Sequence, residues 1–110
     1  MKPSRRRKIP EKTVEQYLVE RVIALGGDAP KLDLRHQDRL GRTDRLVLFP
    51  SLNPRRDLAF VVYVEVKAAG EPPASHQLRE HERLRALGFN VRVVWSYEDV
   101  DALLAPFERH

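Results

Sequence analysis

Two charged side chains, Glu65 and Lys67, lie within an otherwise apolar, β-branched and aromatic run over residues 59–68. Such a run is typical of a central strand that is covered on both faces. Because strand side chains alternate, Glu65 and Lys67 must point to the same face of the sheet. A buried carboxylate and ammonium are costly unless they are paired or bound, which suggests a site for a metal ion and an anionic substrate. A same-face ion pair at the sheet edge is the alternative, disfavoured because both residues interrupt the apolar strand.

A second carboxylate, Asp44, stands at the start of the strand predicted over residues 42–49. The proline-punctuated connection 50–57 makes this strand and the Glu65 strand an antiparallel hairpin. Two carboxylates close together, one basic residue and no thiols describe an oxygen site for Mg²⁺ or Mn²⁺. Such a site suits phosphodiester hydrolysis, because the metal neutralises charge on the phosphate and lowers the pKa of a bound water, while Lys67 orients that water.

The remaining elements must position these strands. Hydrophobic spacing, prolines and glycines predict helices over 11–25, 74–87 and 98–104, an edge strand over 31–36 and a buried strand over 90–95. The first helix has a predicted core stripe of Val14, Leu18, Val22 and Leu25, and in the second we expect Leu78, Leu84 and Leu87 to face the core. The last strand follows a crossover helix, so it should run parallel to its neighbour. The predicted fold is a single-domain α/β mixed sheet with helices on both faces.

Composition limits the classes of function. The chain has 110 residues, enough for one core, with 20 Lys and Arg against 16 Asp and Glu, which gives a net charge of +4 and suits a polyanionic partner. The absence of cysteine excludes disulfides, thiolate metal sites and a cysteine nucleophile. No apolar run approaches the roughly 20 residues of a membrane span, and no signal peptide is evident, so we expect no membrane association and an intracellular location. Residues 1–10 read as a flexible basic arm before a domain over 11–110.

Three segments together resemble a known family: Gly-Arg-Thr-Asp-Arg-Leu-Val-Leu at 41–48, Val-Glu-Val-Lys-Ala-Ala-Gly-Glu-Pro at 64–72, and Gln77 followed by Arg-Glu-His-Glu-Arg-Leu-Arg-Ala-Leu-Gly at 79–88. They resemble the virus-type replication-repair nuclease domain (VRR-NUC), a branch of the PD-(D/E)-x-K nuclease superfamily. The resemblance covers about residues 11–104 and implies a restriction-endonuclease-like α-β-β-β-α-β core, here with a short C-terminal helix. Thr43 stands where the family usually has proline, a position that shapes backbone and supplies no ligand.

By position, the resemblance implies that Asp44 is the motif aspartate and that Glu65 and Lys67 are the E-x-K pair. Asp44, Glu65 and the backbone carbonyl of Val66 would then bind Mg²⁺ or Mn²⁺. Lys67 would position the attacking water and stabilise the charge that develops on the phosphate.

The resemblance also implies two helical site residues. Glu15 is the best match to the first-helix glutamate and would serve a second metal or bind through water, with Glu11 and Glu20 as nearby alternatives. Gln77 matches the glutamine of the second helix and would hold Lys67 or Glu65 in place. His81, one turn later, could contact phosphate, but we favour its interpretation as a surface histidine without a catalytic role.

Stand-alone members of this family in phage-like contexts resemble Holliday-junction resolvases that act as homodimers. The resemblance therefore implies a structure-selective, metal-dependent deoxyribonuclease that cuts four-way DNA junctions as a homodimer in the cytoplasm of a bacterial or phage-infected cell. The alternatives are a flap- or nick-directed nuclease, a restriction-like nuclease of the same chemistry, and a non-catalytic nucleic-acid-binding module.

Overall fold

The computed structural model describes residues 9–31, 44–50 and 59–108. The elements in chain order are α1 (Glu11–Ala24), β1 (Arg45–Phe49), β2 (Phe60–Val66), α2 (Ser75–Ala86), β3 (Asn90–Val94) and α3 (Tyr97–Leu104), with a closing 3₁₀ turn at Ala105–Phe107. This order confirms the predicted helix, hairpin, helix, strand and helix. The predicted basic arm up to residue 8, the edge strand beyond residue 31 and the connection over 51–57 lie outside the described residues. No helix in the described part of the chain is long and apolar enough to cross a membrane.

The sheet is mixed and has the strand order β1-β2-β3 across the described residues. β1 pairs antiparallel with β2, and β2 pairs parallel with β3, so both predicted pairings are confirmed. Two isolated antiparallel bridges, Asp28 with Leu48 and Lys31 with Arg45, bring the segment after α1 alongside β1. The central strand is therefore β2, which carries the charged pair that the sequence singled out.

One face of β2 forms the hydrophobic core. Val62, Val64 and Val66 are almost fully buried, and α1 and α3 cover them with a set of equally buried side chains: Val14, Leu18, Val22, Val100, Leu103 and Leu104. Burial of each such side chain stabilises the fold by about 1.5–3 kcal/mol relative to exposure. The predicted stripe of α1 is thus confirmed, with Leu25 partly buried at its end.

The opposite face of β2 is covered by α2, and here the predicted packing is wrong. Leu78 is 48% exposed and Leu87 is 63% exposed, while Leu84 is half-buried. The fully buried side chain of α2 is His81, which is 1% exposed. α2 therefore contacts the sheet through a polar residue, which makes this face chemically different from the core face.

The turn after α1 depends on glycine. A Cβ atom at Gly27 would lie 2.5 Å from the Leu48 carbonyl oxygen, too close for any other residue without movement of the backbone. This close approach allows the Asp28 backbone N–H to donate to the same oxygen at 2.9 Å. α1 is thereby joined directly to β1.

Candidate functional site

Asp44 and Glu65 lie opposite each other at one end of the hairpin. In the antiparallel register Arg45 is opposite Val64, so the next residue on each strand, Asp44 and Glu65, continues the same pairing. Directly opposed residues have Cβ atoms about 4.5–5.5 Å apart. Because side chains alternate, both carboxylates point away from the core face that holds Val64. The expected convergence of two acids from neighbouring strands is thus a property of the hairpin register.

Glu65 is buried with only one of its oxygens satisfied. Glu65 is 1% exposed, and its Oε1 atom lies 2.7 Å from the Nε2 atom of His81. Oε2 is buried and has no hydrogen-bond partner among the described residues. Burial raises the pKa of Glu65, and the nearby charge of Asp44 raises it further. A buried carboxylate oxygen without a partner costs free energy, so this atom is the clearest sign of a missing positive group.

Asp44 is also buried, at 5% exposure, and is held by Tyr63. The Tyr63 hydroxyl donates to Asp44 Oδ2 at 2.9 Å. Burial raises the pKa of Tyr63 well above its usual value, with the Asp44 carboxylate as the next cause, so the hydroxyl remains a donor at physiological pH. The Tyr63 ring packs against the His81 ring with centroids 5.9 Å apart. Tyr63 and His81 thus hold one oxygen of each carboxylate.

Lys67 extends β2 by one residue on the same face as Glu65. Its backbone N–H donates to the Val94 carbonyl at 3.0 Å, which continues the ladder between β2 and β3. The ammonium of this half-buried side chain lowers the pKa of Glu65, which places its positive charge near the carboxylate. Within the described residues the ammonium makes no hydrogen bond or ion pair. Lys67 therefore has a charge that is available to an anionic ligand.

The structure places Gln77 at the start of α2, where its side chain bonds to the backbone. Its Oε1 atom accepts a hydrogen bond from the Ala74 backbone N–H at 2.7 Å and so caps the first turn of α2. The partner of Glu65 is instead His81, one turn further along the helix. The interpretation of His81 as a surface residue is wrong, since this side chain is buried between α2 and the sheet.

Glu15 lies on the other side of the sheet. Its Oε2 atom accepts from Arg45 Nε at 2.9 Å and lies 3.7 Å from Lys31 Nζ. Arg45 belongs to the face of the sheet opposite Asp44 and Glu65, so the structure does not bring Glu15 to that pair.

The two alternative first-helix acids make no contact with the carboxylate pair either. Glu20 is exposed and accepts a hydrogen bond from Gln16 on its own helix. Glu11 is half-buried in the first turn of α1. The first-helix acid thus remains apart from the site formed by the hairpin.

The donor set fits a hard divalent cation. Two carboxylates face each other, one carries an unpartnered buried oxygen, and thiols are absent from the sequence. The described residues do not group three His, Asp or Glu side chains into a complete cage. This is compatible with Mg²⁺, which is usually held by one or two carboxylates and completes its shell with water and substrate phosphate. Asp44, Glu65 and the Val66 carbonyl are the groups that would hold it.

Two site residues, His81 and Tyr63, were not assigned from the sequence. Tyr63 lies two residues before Glu65 on the same strand, so alternation alone puts it on the polar face. His81 shares a helical face with Gln77 at a spacing of four, a pattern that indicated its direction but not its burial. The signal for both residues is the need of a buried carboxylate for a hydrogen-bond partner on the same face.

Comparisons with known proteins give a consistent result, although no protein-family model matches the chain. Over 98 residues the chain is 40% identical to "Putative nuclease p44" of Acyrthosiphon pisum secondary endosymbiont phage 1, a match that covers 89% of this chain and 95% of that protein. A solved structure described as "VRR_NUC domain" is 43% identical and superposes with a TM-score of 0.67, covering 86% of this chain and 94% of that one.

Proposed function

The chain belongs to the VRR-NUC family of nucleases, and from this premise we propose that it is a metal-dependent endonuclease that hydrolyses phosphodiester bonds of branched DNA. The single observation that carries the proposal is the buried carboxylate pair with an orphaned oxygen, Glu65 Oε2, beside the available ammonium of Lys67. A structural ion pair would satisfy that oxygen. A cation-binding site needs it open.

Asp44 and Glu65 would hold the ion, and other side chains of the chain have the remaining roles. A bound Mg²⁺ or Mn²⁺ would neutralise charge on the phosphate and lower the pKa of water. Tyr63 and His81 each occupy one carboxylate oxygen and so fix the direction of the others. Lys67 orients the attacking water and stabilises the negative charge that develops on the phosphate oxygens.

A four-way DNA junction cut by a homodimer is the proposed substrate and assembly. The net charge of +4 favours a polyanion. Exposed Leu87 and Phe89 at the end of α2, at 63% and 49%, offer apolar surface for a second copy. Two active sites related by a two-fold axis suit a junction that needs two symmetric nicks. Because the relative named above comes from a phage, we place this activity in the cytoplasm of a bacterial cell.

The test is a cleavage assay on four-way junction, flap, single-stranded and plain duplex DNA, each with Mg²⁺, Mn²⁺ or EDTA. Paired symmetric nicks in the junction, with metal only, are the expected result. The Asp44→Asn variant is the control, since it keeps the size of the side chain and its bond to Tyr63 but removes the charge.

Each other outcome selects a different function. Cutting of flaps in preference to junctions would replace the resolvase proposal with a flap-directed nuclease. Binding without cutting in any metal would indicate a nucleic-acid-binding module. Sedimentation that shows a monomer at micromolar concentration would contradict the homodimer.

A further inference from the structure

Trp95 lies beside Lys67 on the polar face of the sheet. Val66 is opposite Val94 in the last pair of the parallel ladder, and Lys67 and Trp95 are the residues that follow this pair on the two strands. Trp95 is therefore the neighbour of Lys67, and alternation directs both side chains toward the face of Glu65. An aromatic residue thus follows β3 next to the strand position of the lysine that would act at the scissile phosphate.

The indole of Trp95 is held by its edge. Its Nε1–H donates to the Glu71 carbonyl at 2.7 Å, which ties the ring to the loop after β2. The Trp95 backbone N–H donates to Asp99 Oδ2 at 2.9 Å, which ties the chain to the first turn of α3. The side chain remains only half-buried. Its polar atom is satisfied and its orientation is set, so the accessible part of the indole is apolar ring.

A pocket of about 360 Å³ opens beside this ring, lined by Gly70, Glu71, Pro72 and Trp95. Gly70 has a φ of +80°, and a Cβ there would meet nothing within 4 Å, so the space on its side is open. The described residues that line the pocket include one acid and no cation, so the lining offers no positive charge to a phosphate. Indole and proline rings with one acid are therefore suited to a flat, uncharged ring and not to the DNA backbone.

We propose that this pocket binds a nucleobase adjacent to the scissile phosphate, stacked on the indole of Trp95. The inference rests on the proposed nuclease function and adds a substrate requirement to it. A base can stack on a protein ring only after it leaves the duplex stack, and unpaired or strained bases do so at the lowest cost. The substrate class is thus DNA with an unpaired or easily unstacked base next to the cut, as at a branch point.

Intrinsic fluorescence tests the contact directly, because Trp95 is the only tryptophan in the chain. The wild-type protein is titrated with four-way-junction DNA in EDTA, where no cleavage is expected. Stacking should quench the emission in a saturable way that follows binding measured independently by anisotropy of labelled DNA. Emission that stays constant while anisotropy saturates would overturn the inference.

The Trp95→Leu variant should bind the junction about 5- to 100-fold more weakly. The slope of log K against log salt should stay the same, since no phosphate contact is lost. Trp95→Phe keeps an aromatic face without the bond to Glu71 and should recover part of the affinity. Ile23→Ala removes an exposed apolar side chain from α1, on the other side of the sheet, and should leave binding unchanged. Circular dichroism shows whether each variant is folded.

Abasic DNA substrates and the Trp95→Leu variant together form a double-mutant cycle. Abasic nucleotides are placed one at a time at positions flanking the mapped nick. At the stacked position, removal of the base should weaken wild-type binding as much as Trp95→Leu does, and it should have no further effect on that variant. Additive losses at every position would overturn the inference.

The two proposals fail separately. If the wild type cuts no DNA in Mg²⁺ or Mn²⁺ but Trp95 is quenched and the cycle is non-additive, the nuclease proposal fails and base stacking stands. If the wild type cuts junctions while Trp95→Leu binds and cuts as the wild type does, the stacking pocket is rejected and the nuclease proposal stands.

Discussion

Two buried glutamates, one on each side of the sheet, differ in how their charge is compensated. Glu15, at 5% exposure, is neutralised by Arg45 and Lys31 on the core side. Glu65, at 1% exposure, has a histidine on one oxygen, no partner for the other among the described residues and a second carboxylate, Asp44, opposite. Burial alone therefore does not identify a functional acid. The deciding feature is whether the protein itself supplies the compensating charge.

This contrast divides the charged residues of the fold into two groups. Glu15 stabilises the folded state by joining α1 to β1, whereas one buried oxygen of Glu65 has no partner within the described part of the chain. Substitutions on the two sides should consequently affect different measurements.

The largest effect is expected for Lys67→Ala. Loss of the ammonium should lower the single-turnover cleavage rate by about 10³-fold, because the charge developing on the phosphate loses its stabilising partner. The melting temperature should change little, since the ammonium acts on the described residues only as a charge near Glu65, without a hydrogen bond to it. Lys67→Arg, which keeps the charge in a different shape, is the matched control. A rate within about tenfold of wild type would contradict the assigned role.

The next effect is expected for Glu15→Gln and falls on stability. Loss of the negative charge removes the ion pair with Arg45 and should lower the free energy of unfolding by about 2 kcal/mol. Urea denaturation with an unchanged m value would measure it. Calorimetric Mn²⁺ affinity should equal that of the wild type. Weaker Mn²⁺ binding would instead support the prediction that Glu15 serves a metal.

His81→Leu should weaken Mn²⁺ binding by about 10-fold or more, because Glu65 loses the group that orients it. His81→Gln retains an N–H donor and should recover most of the affinity. His76→Leu on the exposed side of the same helix is the control. Titration calorimetry at constant pH provides the readout. Equal affinities for His81→Leu and wild type would show that Glu65 needs no positioning partner.

The smallest effect is expected in the pH dependence of folding stability, compared between the wild type and Glu65→Gln in EDTA. The pKa of Glu65 is raised in the folded state by burial and Asp44, so the folded protein binds this proton more tightly than the unfolded chain. Stability therefore falls as pH rises from the usual carboxyl range through the raised pKa. At pH 8 the free energy of unfolding of the variant should exceed that of the wild type by about 1 kcal/mol. This difference should vanish at about pH 4.

Added Mg²⁺ tests whether a bound cation offsets the cost of the Glu65 charge. The ion should stabilise the wild type at pH 8 and leave Glu65→Gln unchanged, since binding to the folded state alone raises stability. A wild type that is the more stable protein at pH 8 without metal would mean that the chain already compensates Glu65.

The fold could be predicted because its core follows simple periods. Val14, Leu18 and Val22 recur at helical spacing, and the continuous apolar strand β2 has to be covered on both faces. α2 was predicted less well, because its exposed Leu78 and Leu87 have the same spacing as core residues. Periodicity of leucines predicted that one face of α2 packs on the sheet. The face that does so is instead the one that carries His81.

Part of the site was equally accessible from the sequence. Alternation and the hairpin are sufficient to bring Asp44, Glu65 and Lys67 to one face. The partners of the carboxylates were not accessible, since Glu15 meets Arg45 across 30 residues and Glu65 meets His81 across 16. Such pairings depend on how helices dock, which single-sequence patterns do not encode.

The opposition of Asp44 and Glu65 makes the site sensitive to strand slippage. A shift of one residue between β1 and β2 would turn Asp44 toward the valine layer and Arg45 toward Glu65. The acidic pair would vanish although no covalent bond had changed. Correct alignment of a single hairpin is thus the step at which a newly made chain becomes competent, and the cost of burying Asp44 against valines opposes the faulty alignment.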